Sequence, residues 1–138
     1  GFKKNKLHLS LFAFKDESPS MNEEIVFLVN HYVSEVFSKT SYFKKPQASI
    51  TKIDCFGRAD KKYDVVLVDA YWIYKIQMDL QEIFSKNNVK YDQEFSFRPH
   101  ISLRKNSDEN ILVPEDISFK EIVFWINEKP IFKWKIKS

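Results

Sequence analysis

Leu7-His8-Leu9-Ser10-Leu11, near the start of the chain, returns almost letter for letter within Phe97-Arg98-Pro99-His100-Ile101-Ser102-Leu103-Arg104. The chain holds three histidines, and two of them open these repeats. Both copies alternate polar and apolar residues, the period of a strand, in which side chains i and i+2 share a face and i+1 turns away. Each repeat then offers an imidazole and a hydroxyl on one side and anchors itself through Leu9 or Ile101 on the other. Two such strands side by side present two imidazoles and two hydroxyls to one cleft.

The alternation around His8 extends from Lys6 to Phe14, which predicts a first strand. Ser20 and Glu23 have capping-box spacing, and Ile25, Leu28, Val29, Tyr32, Val33 and Val36 follow at helical intervals, which predicts an amphipathic helix. Pro46 and Gly57 bracket a β-like segment from Ala48 to Phe56, and Tyr63 to Val68 is an apolar run suited to a buried strand. The basic stretch from Gly57 to Lys62 reads as the loop between them. Asp69 is placed to cap a second helix with Ile73, Ile76, Leu80 and Ile83 as its stripe, ended by Asn87-Asn88. Phe97 to Leu103 forms the strand of the second repeat, with Pro99 at its start, where a missing amide is tolerable. Glu121–Ile126 and Ile131–Ile136 flank a four-residue turn, Asn127-Glu128-Lys129-Pro130. Strand, helix, strand, strand, helix, strand and hairpin argue for an α+β arrangement of helices on antiparallel sheet.

Composition narrows the function classes without choosing one. With 138 residues, 43% hydrophobic and 16% aromatic, the chain can bury one substantial core, and a single domain over 1–138 is expected. Twenty-two Lys and Arg against 19 Asp and Glu leave a net charge of +3, which suits an anionic partner. No apolar run approaches the roughly 20 residues needed to span a bilayer, so no membrane partner is expected. The lone Cys55 excludes an internal disulfide framework and points to a reducing compartment, with the cytoplasm the expected location. Cys55 has no His or Asp positioned by sequence to activate it and reads as a small buried residue rather than a nucleophile.

Two histidines with hydroxyl partners suit in-line displacement at phosphorus. One imidazole takes a proton from the attacking hydroxyl or water, and the other, protonated, gives one to the leaving oxygen. Ser10 and Ser102 then donate to the non-bridging oxygens, where charge must be held. A metal site is disfavoured, because no clustered carboxylate or cysteine completes a coordination sphere. The alternative reading makes both histidines ordinary half-buried strand residues, which leaves their duplication unexplained.

The two motifs resemble those of the 2H phosphoesterases, a family named for paired His-x-Ser/Thr motifs. Phe97 to Arg104 is similar to that family's phenylalanine-x-proline-histidine-x-threonine-leucine strand, and the resemblance runs from the first motif through the closing hairpin. It implies a bilobal fold, with antiparallel sheets lining a central cleft and two helices packed outside. It further implies no cofactor, no metal, His8 and His100 as the acid/base pair, and Ser10 and Ser102 as phosphate-oxygen donors. Cleavage of 2′,5′-linked oligonucleotides, 2′,3′-cyclic phosphates or RNA 3′ ends is the implied activity. Few residues precede His8, a start similar to the C-terminal phosphodiesterase modules of some viral polyproteins and of rotavirus capping enzymes. The expectation is thus a monomeric phosphodiesterase, the C-terminal module of a larger polypeptide, that acts on an oligonucleotide or RNA. Removal of 2′,5′-oligoadenylate messengers in opposition to host antiviral signalling leads the possible roles. Opening of 2′,3′-cyclic ends and 3′ trimming of RNA are the enzymatic alternatives, and a non-catalytic RNA-binding module is the alternative from another class.

The remaining residues carry weaker signals. Arg104 continues the parity of His100 and Ser102, and Lys105 follows it, so both are candidates to neutralise a substrate phosphate. Tyr71, Trp72, Trp125 and Trp134 are candidate stacking surfaces for a base, although most aromatics of this chain must form core. His31 reads as a boundary residue of the first helix.

Overall fold

The computed structural model describes residues 7–15, 18–37, 47–58, 61–93, 96–105, 115–126 and 129–136. The first helix, α1, is Pro19–Tyr32. Ser18 rather than Ser20 is its N-cap, with its hydroxyl accepting from the Met21 amide at 3.3 Å. Pro19 occupies the first turn, where an amide would have no partner in any case. Ile25, Leu28, Val29 and Tyr32 form its buried stripe, and the chain winds on through a π-helical turn, Val33–Phe37.

The strands β1 (Gln47–Arg58) and β2 (Lys61–Asp69) form a long antiparallel hairpin. The expected loop from Gly57 to Lys62 is therefore mostly strand: Gly57 pairs with Lys62 and Arg58 with Lys61. Gly57 has φ 127°, a value that a side chain would oppose. Asp69 ends β2 instead of capping the next helix, α2 (Tyr71–Lys86), whose N-cap Ala70 offers no side-chain bond. At the other end Asn87 donates from its side chain to the Ile83 carbonyl at 2.8 Å, and Asn88 adopts φ 59°, so this pair stops the helix as expected. Phe84, not Ile83, completes the buried stripe of Ile73, Ile76 and Leu80.

The second repeat forms β3 (His100–Lys105), shorter than the expected Phe97–Leu103 at its start. Pro99 lies just outside it, buried, with its carbonyl accepting from the Val68 amide at 3.0 Å. A three-residue strand, β4 (Asp116–Ser118), too short to show a period, adds to β1 and gives the order β3-β2-β1-β4. The closing hairpin, β5 (Glu121–Ile126) and β6 (Lys129–Lys135), is a separate two-stranded sheet. Of the four expected turn residues, Lys129 and Pro130 belong to β6 and positions 127–128 lie outside the described residues. The expected first strand is an extended segment held by two isolated antiparallel bridges, Leu9 to Ile101 and Phe14 to Tyr91. Lys6 lies outside the described residues.

The result is α+β, two helices packed with curled antiparallel sheets. Its apolar interior forms two clusters. One gathers α1, α2 and the hairpin around Ile25, Tyr32, Leu80, Phe84 and Trp134. The other lies under the four-stranded sheet, around Ala48, Val66, Val68, Ile73 and Ile101. Leu11 and Trp72 pack against both. Each fully buried large side chain contributes roughly 1.5–3 kcal/mol, so these clusters fix how the sheets and helices meet. Among the described residues no helix is long and apolar enough to cross a membrane.

Candidate active site

The bridge between Leu9 and Ile101 sets the geometry of the site. Residues directly opposite in an antiparallel pair share a face. Leu9 and Ile101 both enter the cluster beneath the sheet, so that face is the inner one. One residue on either side, the other face carries His8 opposite Ser102 and Ser10 opposite His100. The two histidines are diagonal neighbours, a relation that typically sets residues about 7–8 Å apart, with their Cβ atoms somewhat closer. His8, Ser10 and Ser102 are exposed and His100 is half-buried, so the register brings the four polar residues of the two repeats together on one accessible surface.

β3 also pairs with β2, where Leu67 lies opposite His100 and Val65 opposite Ser102. The register then slips, and Arg104 pairs with Asp64 and Lys105 with Tyr63. An extra residue in one strand resets its alternation. The expected shared parity of His100, Ser102 and Arg104 therefore fails at the backbone, and Lys105 takes the register position of that parity. The side chains of Arg104 and Lys105 lie outside the described residues.

His100 is held from two sides. Its Nδ1 lies 2.7 Å from the Arg98 carbonyl oxygen. A carbonyl only accepts, so the contact calls for hydrogen on Nδ1 and leaves Nε2 of the neutral ring as the free base. The Phe56 ring meets the imidazole edge-on, with centroids 4.7 Å apart. Phe56 is in turn covered by the Arg98 guanidinium, 4.8 Å from its centroid, and Arg98 reaches Asp54 at 3.2 Å. The Cys55 amide, donating at 2.8 Å, is the main influence that holds the Asp54 carboxyl below its usual range. Lys52 and Arg98 act in the same direction, against an opposing effect of burial.

None of Asp54, Phe56 or the Arg98 side chain stood out in the sequence. Phe56 pairs with Tyr63 while His100 pairs with Leu67, four residues along β2 and roughly 13 Å away at strand rise. Only the curl of the sheet brings the two rings together, and no local pattern announces it.

On the other flank His8 faces Trp125 of β5, with ring centroids 6.1 Å apart. The hairpin register slips between Phe124 and Trp125, and Trp125 is 41% exposed. A bulge of this kind re-aims a side chain. The other stacking candidates lie elsewhere. Trp134 is buried with its indole donating to Asn30, Trp72 donates to the Gln47 carbonyl, and Tyr71 projects from the start of α2. His31 is exposed near the end of α1. Cys55, expected to be buried, is exposed because it lies near the tip of the β1–β2 hairpin, beyond the core under the sheet. Among the described residues no group of three His, Cys, Asp or Glu could hold a metal ion.

The fold matches solved structures along nearly its whole length. Escherichia coli LigT complexed with 3′-AMP superposes with a TM-score of 0.57 at 14% identity, over 97% of this chain and 78% of that one. A second match, described as a phosphoesterase, gives a TM-score of 0.55 at 15% identity over 97% and 79% of the two chains. LigT in its apo form gives 0.55 at 14% identity over 99% and 80%. The chain therefore has the fold of 2H phosphoesterases, to which LigT belongs. No family model matches the sequence, and no curated protein matches it in sequence.

Proposed function

We propose that this chain is a phosphodiesterase in which His8 and His100 act as general acid and base on an oligonucleotide phosphate, without a metal, and that its substrate is a 2′,5′-linked oligoadenylate. The observation that carries this reading is the Leu9–Ile101 bridge, which gives the two His-x-Ser repeats one face.

A phosphate seated between diagonal imidazoles meets a base on one side and an acid on the other. One Nε2 removes the proton of the attacking ribose hydroxyl or water as its oxygen bonds to phosphorus. The opposite imidazolium protonates the departing 5′ oxygen as that P–O bond breaks. Ser10 and Ser102 donate to the non-bridging oxygens, and Lys105, at the register position that continues His100 and Ser102, neutralises the remaining phosphate charge in place of Arg104. Trp125, beside His8, is the surface on which a base stacks. Such an activity acts as a cytoplasmic antagonist of host oligoadenylate signalling.

The LigT complex with 3′-AMP favours a second reading, the opening of 2′,3′-cyclic ends, since the bound nucleotide carries its phosphate on the ribose 3′ oxygen. One experiment separates the two. The protein is incubated in EDTA with 2′-5′ oligoadenylate, 3′-5′ oligoadenylate and 2′,3′-cyclic AMP, and the products are resolved by chromatography. Cleavage of the 2′-5′ oligomer alone is the expected result. Turnover of the cyclic nucleotide alone selects the second reading, and activity lost in EDTA but restored by a divalent ion overturns both.

A further inference from the structure

The Arg98–Asp54 pair resembles an ordinary exposed ion pair, with 56% and 30% of the two side chains open to solvent. Such pairs contribute little to stability. Its position suggests another use. Arg98 precedes His100 by two residues and reaches its ring by two separate routes. Through its backbone carbonyl it receives the Nδ1 hydrogen. Through its guanidinium it covers Phe56, whose edge abuts the imidazole. Asp54 and Phe56 are i and i+2 on β1 and so share a strand face, and Asp54 is itself held by the Cys55 amide. The result is a closed loop of contacts: β1 holds the guanidinium, the guanidinium holds Phe56, and Phe56 limits how far the imidazole can turn. Among the described residues His8 has no comparable enclosure: it is exposed, with Trp125 tilted beside it.

We propose that Arg98 is a positioning residue for His100, with Asp54 and Phe56 as the parts through which its side chain acts: together they keep Nε2 of His100 aimed at the substrate phosphate. This inference rests on the reading of His100 as a proton-transfer group. A ring held only by the carbonyl bond can rock about that bond, and a misplacement on the order of 1 Å costs up to about 100-fold in rate.

The test compares wild type with Arg98→Ala, Arg98→Lys and Asp54→Asn on the 2′-5′ oligomer, together with 15N NMR of the His100 ring. In Arg98→Ala the carbonyl survives but the cover over Phe56 is lost. The expected result is a kcat lower by roughly 10–100-fold with KM within about twofold. The melting temperature stays nearly unchanged, and the His100 ring signals broaden or show a second tautomer. Arg98→Lys keeps a cation over Phe56 without the planar fork and recovers part of the loss. The double variant Asp54→Asn/Arg98→Ala is no slower than Arg98→Ala, because Asp54 acts through Arg98.

A raised KM at unchanged kcat makes Arg98 a substrate contact and overturns the proposal, as does an unchanged kcat. If wild type turns over no substrate, the assigned function fails while the ring spectra still decide the brace: identical His100 signals in wild type and Arg98→Ala overturn it.

Discussion

On the proposed mechanism a proton leaves one oxygen and reaches another within a single displacement, so the two imidazoles would act as one unit rather than as independent increments. His8→Ala and His100→Ala are each expected to lower kcat by at least about 100-fold, since a positioned acid or base contributes typically 10²–10⁴. The double variant should be little slower than the worse single, which steady-state rates on purified, folded protein will check. A folded single variant retaining more than about a tenth of the wild-type rate removes that histidine from the chemistry. Ser10→Ala and Ser102→Ala each delete one hydrogen bond to a charged oxygen, worth about 1.5–3 kcal/mol or roughly 10–150-fold in rate. His8, Ser10 and Ser102 are exposed, so these truncations should shift folding stability by about 1 kcal/mol or less. At this scale the sequence announced the four residues of the repeats, because strand parity is a local property. It was silent on Phe56 and on the Arg98 side chain, whose contacts with one another and with His100 form only when distant strands curl together.

Between elements, the helices are joined by a polar fastening within an apolar interface. The Tyr32 hydroxyl of α1 donates to Asp79 of α2 at 2.9 Å, and Lys75, one turn earlier on α2, donates to the other Asp79 oxygen at 2.8 Å. Burial foremost, then the hydrogen bond and charge of Asp79, push the Tyr32 pKa far above its ordinary 10.0. The folded state thus favours the neutral phenol. Its contribution is complete below pH 10 and is lost as pH rises above that value, because the unfolded chain then ionises and the folded one resists. Tyr32→Phe is expected to cost about 1.5 kcal/mol near neutrality, the low end for a charged acceptor, since Lys75 still neutralises Asp79. It should also flatten the alkaline fall in stability. Urea unfolding from pH 7 to 11 checks both, and parallel curves for the two proteins would refute the linkage. Helical spacing made both helices legible in the sequence, Tyr32 included as a core position. Its partner Asp79 was not, because the pairing depends on how α1 lies against α2. β4 and the slips at Ser102–Arg104 and Phe124–Trp125 escaped for the same reason: each is a property of pairing with a distant strand.

Across the whole molecule, the two histidines stand on supports of unequal strength. His100 belongs to β3, inside a four-stranded sheet. His8 belongs to the segment 7–15, which among the described residues is tied by two isolated bridges and by the Asp92 amide donating to the Ala13 carbonyl at 2.7 Å. What holds that segment is mainly its apolar side chains: Leu9 and Leu11 under the sheet, and Phe12 edge-on to Phe84 and Tyr91 at 5.1 and 5.2 Å. Elements with few backbone bonds open at lower free energy than the fold as a whole, so the segment that carries His8 is expected to open before the sheet does. Phe12→Ala tests this at a distance from the chemistry. A fully buried Phe costs about 3–5 kcal/mol on truncation, and the half-buried Phe12 should cost about 2–3. The protein stays folded at 25 °C if its stability lies in the usual 5–15 kcal/mol range. Most of the loss should fall on the segment itself, so amide exchange at Leu9 to Leu11 should accelerate more than at Val65 to Val68. Turnover should then fall by the fraction of time the segment is open, with activity lost on heating before the sheet melts. Equal acceleration at both sites, or loss of activity only together with the circular dichroism of the sheet, would show that the His8 segment opens with the whole fold rather than ahead of it.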